Sequence, residues 1–237
     1  MGYYDMHIEI KENLEEVVKF AKMLEYAGIL IALNEQEINN EYEIKKIENL
    51  KKLAIENGID IIIGLLIKPK NKEELKRVLD EFRKKVEIVA VSGGIYEINR
   101  AACEDSRVDI LYHPELGRND SGLDHICVKA ASENNVAIEI NFNEILQAKN
   151  RPKILTFMRR NVKLCKKYGA NVIITSGAKN KWEMRAPREL ASIGYILGMD
   201  LKTAIDSVSI IPENIIKTNR EKLNGRLIKN VRVVDEF

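Results

Sequence analysis

The sequence has few of the residues that build disulfide frameworks or metal centres. Its 237 residues include three cysteines and three histidines. The cysteines are odd in number and far apart, at Cys103, Cys127 and Cys165. They therefore suggest neither a disulfide framework nor a zinc site. Such a set of thiols is typical of a reducing cytosol, and we expect a cytoplasmic protein.

The chain also lacks a long apolar run, because no segment approaches the roughly 18 apolar residues of a membrane-spanning helix. The first residues, MGYYDMHIEI, lead directly into a strand-like segment, so we expect no signal peptide and no membrane partner. No linker or low-complexity segment is visible. We predict one domain over residues 1–237, in which residues 226–237 form either a loose tail or a small edge strand.

The charges are unevenly distributed, although the net charge is only +2. Residues 1–90 carry a net charge of −3, residues 91–144 carry −6, and residues 145–237 carry +11. A basic last third suits a polyanionic partner, because Lys and Arg supply most contacts to phosphates. Basic helix faces are also often only solvated, so charge alone leaves both interpretations open.

Apolar segments of strand length alternate with segments of helical periodicity along the whole chain. This alternation is typical of a parallel sheet with crossover helices. Continuous apolar runs such as IDIIIGLLI indicate strands that are buried on both faces. The strands are predicted over residues 3–10, 28–33, 59–67, 86–91, 108–112, 136–140 and 170–176.

Two architectures fit this alternation, a closed barrel and an open doubly wound sheet. We favour the barrel because the units are even in length and no dinucleotide glycine fingerprint follows the first strand. The predicted fold is α/β and TIM-barrel-like. It is a distorted seven-stranded parallel βα barrel with extra C-terminal helices over roughly 187–197, 202–208 and 213–223.

Three potential metal ligands fall at predicted strand ends, which in such barrels carry function. Asp5 and His7 alternate on the first strand and share one face, and His113 follows the fifth strand. Carboxylate and imidazole are suitable ligands. Three ligands are few for a two- or three-metal hydrolase, so we favour hydrogen bonds to loops at the barrel mouth. By barrel mouth we mean the end where the carboxyl ends of the strands lie.

A cationic run follows the seventh strand and includes the chain's sole tryptophan, Trp182. We predict that this run occupies a loop of the barrel mouth, where cations could bind a nucleic-acid backbone and the indole could stack on a base. An indole that covers the barrel end as a lid is an equally good interpretation. The candidate RNA-binding residues of this run are Lys179, Lys181, Arg185 and Arg188.

Short motifs occur in a fixed order along nearly the whole chain. They are Tyr4-Asp5-x-His7, Asn99-Arg100-x-x-x-Glu104-Asp105, Val108-Asp109-Ile110-Leu111, His113-Pro114, Gly122-Leu123-Asp124-His125, Val136-Ala137-Ile138-Glu139-Ile140-Asn141, Ser176-Gly177-Ala178 and Arg185-x-Pro187. Together they resemble the archaeal ribonuclease P protein component 3 family. Within this resemblance, Arg100 is a further candidate RNA-binding residue near the same edge of the barrel.

The resemblance implies a protein subunit of ribonuclease P. Such a subunit would bind ribonuclease P RNA and precursor tRNA, and would assist the catalytic RNA as it removes the 5′ leader with Mg²⁺. It would act with ribonuclease P protein component 2 and other protein subunits of the complex. The chain alone would then contain no catalytic residues and no cofactor of its own.

The family also looks related to the polymerase-and-histidinol-phosphatase type barrel superfamily, whose metal ligands are typically His-x-His, a Glu after strand three and Ser-Asp-Ala-His. Here the corresponding residues are Asp5-x-His7, a leucine of Gly64-Leu65-Leu66, and Ser176-Gly177-Ala178-Lys179. Asp5, His7 and His113 would thus be remnants of a metal site that binds no metal. The alternatives are a metal-dependent phosphoesterase of related fold and, with less support, a phosphosugar-handling barrel enzyme.

Overall fold

The computed structural model describes residues 2–228 and 231–232. Within them, seven parallel strands form one sheet in the order of the sequence. Each strand pairs with the next in parallel register, as the βα alternation predicts. The strands of this sheet are β1 (Tyr4–Ile8), β2 (Gly28–Leu33), β3 (Asp60–Ile67), β4 (Ile88–Ser92), β5 (Ile110–Tyr112), β6 (Ala137–Asn141) and β7 (Val172–Thr175).

Helices connect these strands and cover the outside of the sheet. All the predicted helices are present, and the structure adds two short ones, α2 and α7, whose first turns are capped by Asn34 and Asn141. The helices are α1 (Leu14–Met23), α2 (Glu35–Ile38), α3 (Glu41–Glu56), α4 (Lys72–Phe82), α5 (Tyr96–Glu104), α6 (His125–Asn134), α7 (Phe142–Gln147), α8 (Arg151–Tyr168), α9 (Pro187–Ile196), α10 (Leu201–Asp206) and α11 (Ile210–Leu223).

The first and last strands of the sheet meet and nearly close it into a barrel. Ile8 forms a parallel bridge with Ala178, and the Glu9 backbone N–H donates to the Ala178 carbonyl at 2.9 Å. This contact confirms the predicted TIM-barrel-like fold and excludes an open doubly wound sheet. None of the helices in the described part of the chain is long and apolar enough to span a bilayer.

Alternating strand residues divide the core into two layers. One layer lies between the strands and the surrounding helices, and the other fills the barrel interior with residues such as Met6, Leu30 and Ile62. Ile216 of α11 joins the interior layer. Nearby, Arg220 of the same helix forms an ion pair with Asp60 at the start of β3. Helix α11 therefore covers the end of the barrel opposite the mouth.

The described residues near the end of the chain do not join the edge of the barrel sheet, which was one of the two predicted alternatives. A short strand β8 (Leu227–Ile228) pairs with β9 (Val231–Arg232) in an antiparallel ladder that is separate from the barrel sheet. The remaining residues of the predicted 226–237 tail, apart from Arg226, lie outside the described residues. The division of the chain into a single domain over 1–237 stays a prediction.

Candidate functional site at the barrel mouth

Glu139, at the end of β6, is the centre of a buried polar cluster at the mouth. Its Oε1 atom lies 2.6 Å from Nδ1 of His7 and accepts a hydrogen bond from Thr175 Oγ1 at 2.5 Å. Its Oε2 atom accepts the backbone N–H of His113 at 2.9 Å. The side chain is fully buried. Burial raises the pKa of Glu139, but the charge and hydrogen bond of His7 outweigh this effect and leave the pKa below its usual value.

His7 lies between two carboxylates and is stacked on an aromatic ring. Its Nε2 atom is 3.2 Å from Oε1 of Glu9, and its ring is nearly parallel to Tyr112 at a centroid distance of 3.8 Å. Burial lowers the pKa of His7, but the Glu139 and Glu9 carboxylates more than offset this and raise it to about 9. The imidazole is therefore protonated at neutral pH and forms an ion pair with Glu139.

His113 is the neutral histidine of the cluster. Its Nε2 atom lies 3.0 Å from Ser92 Oγ, and Nδ1 has no hydrogen-bond partner among the described residues. Burial lowers the pKa of His113 to about 4, so the ring is uncharged at neutral pH. The backbone has a φ of +32°, an unusual conformation for a residue with a side chain, and the hydrogen bond to Glu139 stabilises it.

Asp5 connects the first strand with the segment that follows the last one. Its Oδ1 atom accepts the backbone N–H groups of His7 at 3.3 Å and Ser176 at 3.1 Å. Burial raises the pKa of Asp5 to about 6. The carboxylate therefore fixes the geometry of the barrel closure, while its second oxygen has no partner within the described part of the chain.

Three of these side chains could together hold a cation. Single ligand atoms of His7, His113 and Glu139 lie within 4.8 Å of one another. A metal, however, needs the lone pair of a neutral imidazole, whereas His7 holds a proton with a pKa of about 9. Glu139 already accepts hydrogen bonds on both oxygens. The residues present thus fit a buried ion pair better than a metal centre, and no chemical step through a metal follows from them.

Glu139 lies in one of the ordered sequence motifs, within the strand predicted over 136–140, but it was not among the predicted site residues. Leucine stands where the related superfamily has a metal-binding glutamate after strand three. Leu65 and Leu66 are buried within β3, where they offer no ligand atom.

A second acid, Glu115, is fully buried two residues after His113. Burial raises its pKa to about 8, and neither of its oxygens has a partner in the described residues.

The cationic run after β7 takes a different path from the predicted one. It leaves the mouth at Ala178 and descends along the outside of α1. Lys181 forms an ion pair with Glu16 at the start of α1 at 2.5 Å. Further along, the Tyr26 hydroxyl donates to the carbonyl of Arg185 at 2.7 Å, just before β2 begins. The prediction that the whole run lies at the mouth was therefore wrong for its second half.

Arg188 lies at the far end of this path, where the nearby Tyr3 raises the pKa of its guanidinium. Tyr3 precedes β1, whereas Ala178 pairs with Ile8 at the opposite end of that strand. Five strand residues at about 3.3 Å each span roughly 17 Å. We call the four cations along this path the cation strip. They are Lys179, Lys181, Arg185 and Arg188.

The members of the cation strip differ in how free their charges are. Lys179 forms no ion pair with any side chain of the described residues, although its charge acts on Glu9 and Glu144. The Arg185 guanidinium donates to the carbonyls of Trp182 and Met184, which leaves its charge without an acidic partner there. The strip therefore presents positive charge along one wall of the barrel.

Arg100 is not part of this wall. It lies on α5, which follows β4, and strand order places β4 three strands away from β1 and β7. Its guanidinium forms an exposed ion pair with Glu104 at 2.7 Å, one turn along the same helix. The structure thus separates Arg100 from the other four candidate RNA-binding residues.

The amino-acid sequence is similar to those of ribonuclease P proteins. The chain matches the model for the family described as RNase P subunit p30 over residues 2–224. It is 36% identical to ribonuclease P protein component 3 of Methanococcus maripaludis strain S2 over 223 residues, which cover 93% of this chain and 90% of the relative. It is also 36% identical to the protein of the same name from Methanocaldococcus jannaschii, over 78% of this chain and 79% of the relative.

Comparison with solved structures agrees. A chain in a cryo-EM structure of archaeal ribonuclease P with mature tRNA superimposes with a TM-score of 0.85 and 30% identity, and covers 99% of this chain and 98% of that one. The histidinol phosphate phosphatase of Lactococcus lactis, solved with zinc, L-histidinol and phosphate, has a TM-score of 0.53 and 14% identity, over 92% of this chain and 94% of that one. The second likeness shows a shared fold alone.

Proposed function

Since the chain belongs to the RNase P subunit p30 family and is a ribonuclease P subunit that takes part in tRNA processing, we propose that it contributes RNA contacts to the complex and no catalytic centre of its own. Cleavage of the 5′ leader of precursor tRNA is then the work of the RNA, with Mg²⁺ bound to that RNA. The chain assists by holding RNA against one wall of its barrel.

The cation strip is the observation that carries this proposal. The four cations of the strip follow one path beside α1, where Lys179 and Arg188 are exposed and Lys181 and Arg185 are half-buried. A row of cations is suited to the backbone of a single-stranded RNA segment. Phosphates are bound mainly through Lys and Arg, and such contacts position an RNA without reading its sequence. The net charge of +11 over residues 145–237, which include the strip, also suits a polyanionic partner.

The alternative of a metal-dependent phosphoesterase is less well supported by the barrel mouth. A hydrolytic site needs open metal positions and a route for water. Here His7 and Glu139 neutralise each other, and their side chains are no more than 1% exposed. The cluster therefore stabilises the barrel closure and the loops of the mouth.

The proposal includes the location and the partners of the chain. Cys103, Cys127 and Cys165 are all buried free thiols, which supports a reducing cytoplasmic compartment. Ribonuclease P protein component 2 is the partner that the family resemblance implies, besides ribonuclease P RNA and precursor tRNA. Arg100, on the opposite wall, is left available for a separate contact with RNA.

The salt dependence of RNA binding tests the role of the cation strip. We expect the double variant Arg185→Ala with Arg188→Ala to bind ribonuclease P RNA more weakly than the wild-type chain. The slope of log affinity against log salt concentration should fall by somewhat under one unit for each lost phosphate contact. Affinity is measured by filter binding at several salt concentrations.

The matched control is the double variant Lys45→Ala with Lys46→Ala, which removes two exposed charges from α3. That helix lies within residues 1–90, whose net charge is −3. The control should bind RNA like the wild-type chain. Equal losses of affinity in both double variants, with an unchanged slope, would show that the strip does not contact phosphates.

A further inference from the structure

Trp182 has a large apolar side chain that is mostly exposed to solvent. It is the sole tryptophan of the chain, and 71% of its surface is open to solvent. Indole is a large apolar group that normally contributes to stability through burial. Its exposure leaves the ring accessible to a partner outside the chain.

The backbone around Trp182 is held firmly. The residue lies in a 3-10 turn, Lys181–Glu183, and its backbone N–H donates to Asn180 Oδ1 at 3.0 Å. The Glu183 carboxylate accepts the backbone N–H of Lys179 at 2.9 Å and Nδ2 of Asn143 at 3.1 Å. These bonds fix the turn before any partner arrives, which reduces the entropy lost on binding.

The indole ring is also oriented by its neighbours. Phe20 of α1 meets it edge-on, with ring centroids 5.9 Å apart and planes at 72°. The ammonium group of Lys181 lies 4.9 Å from the ring centroid, and Glu16 holds that ammonium in place. The ring is thus an oriented planar surface with the Lys181 ammonium over one of its faces.

A cleft of about 450 Å³ opens next to the indole, between the segment after β1 and the cation strip. Its charged lining is balanced, with Lys11, Lys179 and Lys181 opposed by Glu9, Glu12 and Glu16. A balanced cleft does not favour a phosphate, but it accepts a neutral planar group. Phosphates on either side of that group would meet Lys179 above it and Arg185 below it.

We propose that Trp182 is a stacking platform for an unpaired base of RNA, midway along the cation strip. This inference rests on the proposed function and specifies its ligand as a single-stranded or bulged segment. Aromatic side chains stack on unpaired bases of any identity, whereas bases within a duplex are not available to them. A protein partner fits less well, because cations precede and follow the indole along the chain.

The fluorescence of the sole tryptophan reports directly on this contact. We expect a single-stranded uridine 12-mer to quench the emission of the full chain on binding. Heparin, a polyanion without bases, should bind the cation strip with little quenching. The variants Trp182→Ala and Trp182→Phe both lack the fluorophore, so their affinities are measured by filter binding. Trp182→Ala should lose about tenfold in affinity for the oligonucleotide, and Trp182→Phe should retain most of it. Neither variant should change heparin affinity.

Tyr42 provides the matched control, since it is an aromatic residue 74% exposed on α3 beside Lys45 and Lys46. The variant Tyr42→Ala should bind the oligonucleotide like the wild-type chain. Absence of quenching together with unchanged affinity of Trp182→Ala would overturn the stacking platform, even if the salt-slope experiment still supports the cation strip. A blue shift with component 2 in place of a response to RNA would also overturn it and assign Trp182 to a protein interface.

Discussion

His7 and Glu139 face each other at 2.6 Å in a part of the barrel from which solvent is excluded. The pair is costly to break, because removal of one partner leaves an uncompensated buried charge, at a cost of about 3–5 kcal/mol. The neighbouring His113 stays neutral, and its hydrogen bond to Glu139 holds its own strained backbone conformation. At the residue scale, the mouth is organised around one proton on His7.

This proton has a consequence for metal binding. A metal must displace it from a group whose pKa is about 9, so Zn²⁺ affinity should rise about tenfold per pH unit between pH 6 and 9. We expect dialysed protein at pH 7 to carry no stoichiometric Zn²⁺ or Mn²⁺ by elemental analysis. Two or more tightly held ions per chain, with RNA-free phosphoesterase activity, would contradict this reading of the mouth.

Glu115 links stability to pH in a definite direction. Its pKa is about 8 in the folded chain, against an ordinary value of 4.5, so the folded state binds one more proton between these values. The stabilisation is complete below pH 4.5 and is lost as pH rises through about 8. Glu115→Gln has no such proton to lose. Relative to the wild-type chain, it should gain up to about 1.4 kcal/mol per pH unit in this window.

Urea denaturation at pH 5 and pH 7.5 measures this difference. At pH 5 the folded wild-type chain carries a neutral carboxyl group at residue 115, and Glu115→Gln carries a neutral amide. Burial of these two polar groups costs a similar free energy, so the two proteins should be similar in stability at this pH. The variant should therefore improve relative to the wild-type chain at pH 7.5. A stability difference that is the same at both pH values would show that Glu115 is ionised in the folded protein.

At the scale of elements, the seven strands of the barrel could be predicted from sequence, because most of them are continuous apolar runs bounded by polar turns. The short helices α2 and α7 could not. Each has six residues or fewer and too little periodicity, and each is stabilised by an asparagine cap and by tertiary packing. Glu139 could not be predicted as a site residue, because its side chain meets His7 only when the barrel closes.

The path of the cationic run was also beyond sequence reasoning. It depends on contacts such as that between Tyr26 and Arg185, which are 159 residues apart in the chain. A motif placed after a strand indicates where a loop starts, but not the direction in which it continues. The position of Arg100 was misjudged for the same reason, since a helix after β4 lies on the opposite wall.

The turn that carries Trp182 depends on one carboxylate. Glu183 accepts hydrogen bonds from Lys179, Asn180 and Asn143, so Glu183→Ala should loosen the turn. Amide hydrogen exchange of residues 179–183 should become faster, while unfolding free energy falls by only about 1–2 kcal/mol. The control Glu104→Ala breaks the exposed pair with Arg100 and should change stability by less than about 1 kcal/mol. Unchanged exchange in Glu183→Ala would show that the Glu183 carboxylate does not hold the turn.

At the scale of the whole molecule, the barrel has distinct faces. Helix α11 covers the end opposite the mouth, the mouth holds a neutralised ion pair, and the cation strip runs down the wall beside α1. The sequence shows that the last third of the chain is basic, but not where its charges lie in the fold. The fold then concentrates part of that charge on a single wall, where an RNA can be held outside the barrel.

Reconstituted cleavage of precursor tRNA tests the central claim most directly. The RNA and the other protein subunits are combined with three versions of this chain. They are the wild-type chain, a strip variant (Lys179→Ala, Arg185→Ala, Arg188→Ala), and a mouth variant (His7→Gln, Glu139→Gln) that removes the ion pair without leaving a lone charge. We predict that the mouth variant supports cleavage within a few-fold of the wild-type chain and that the strip variant is markedly impaired. Loss of cleavage with a folded mouth variant, and normal cleavage with the strip variant, would contradict the account.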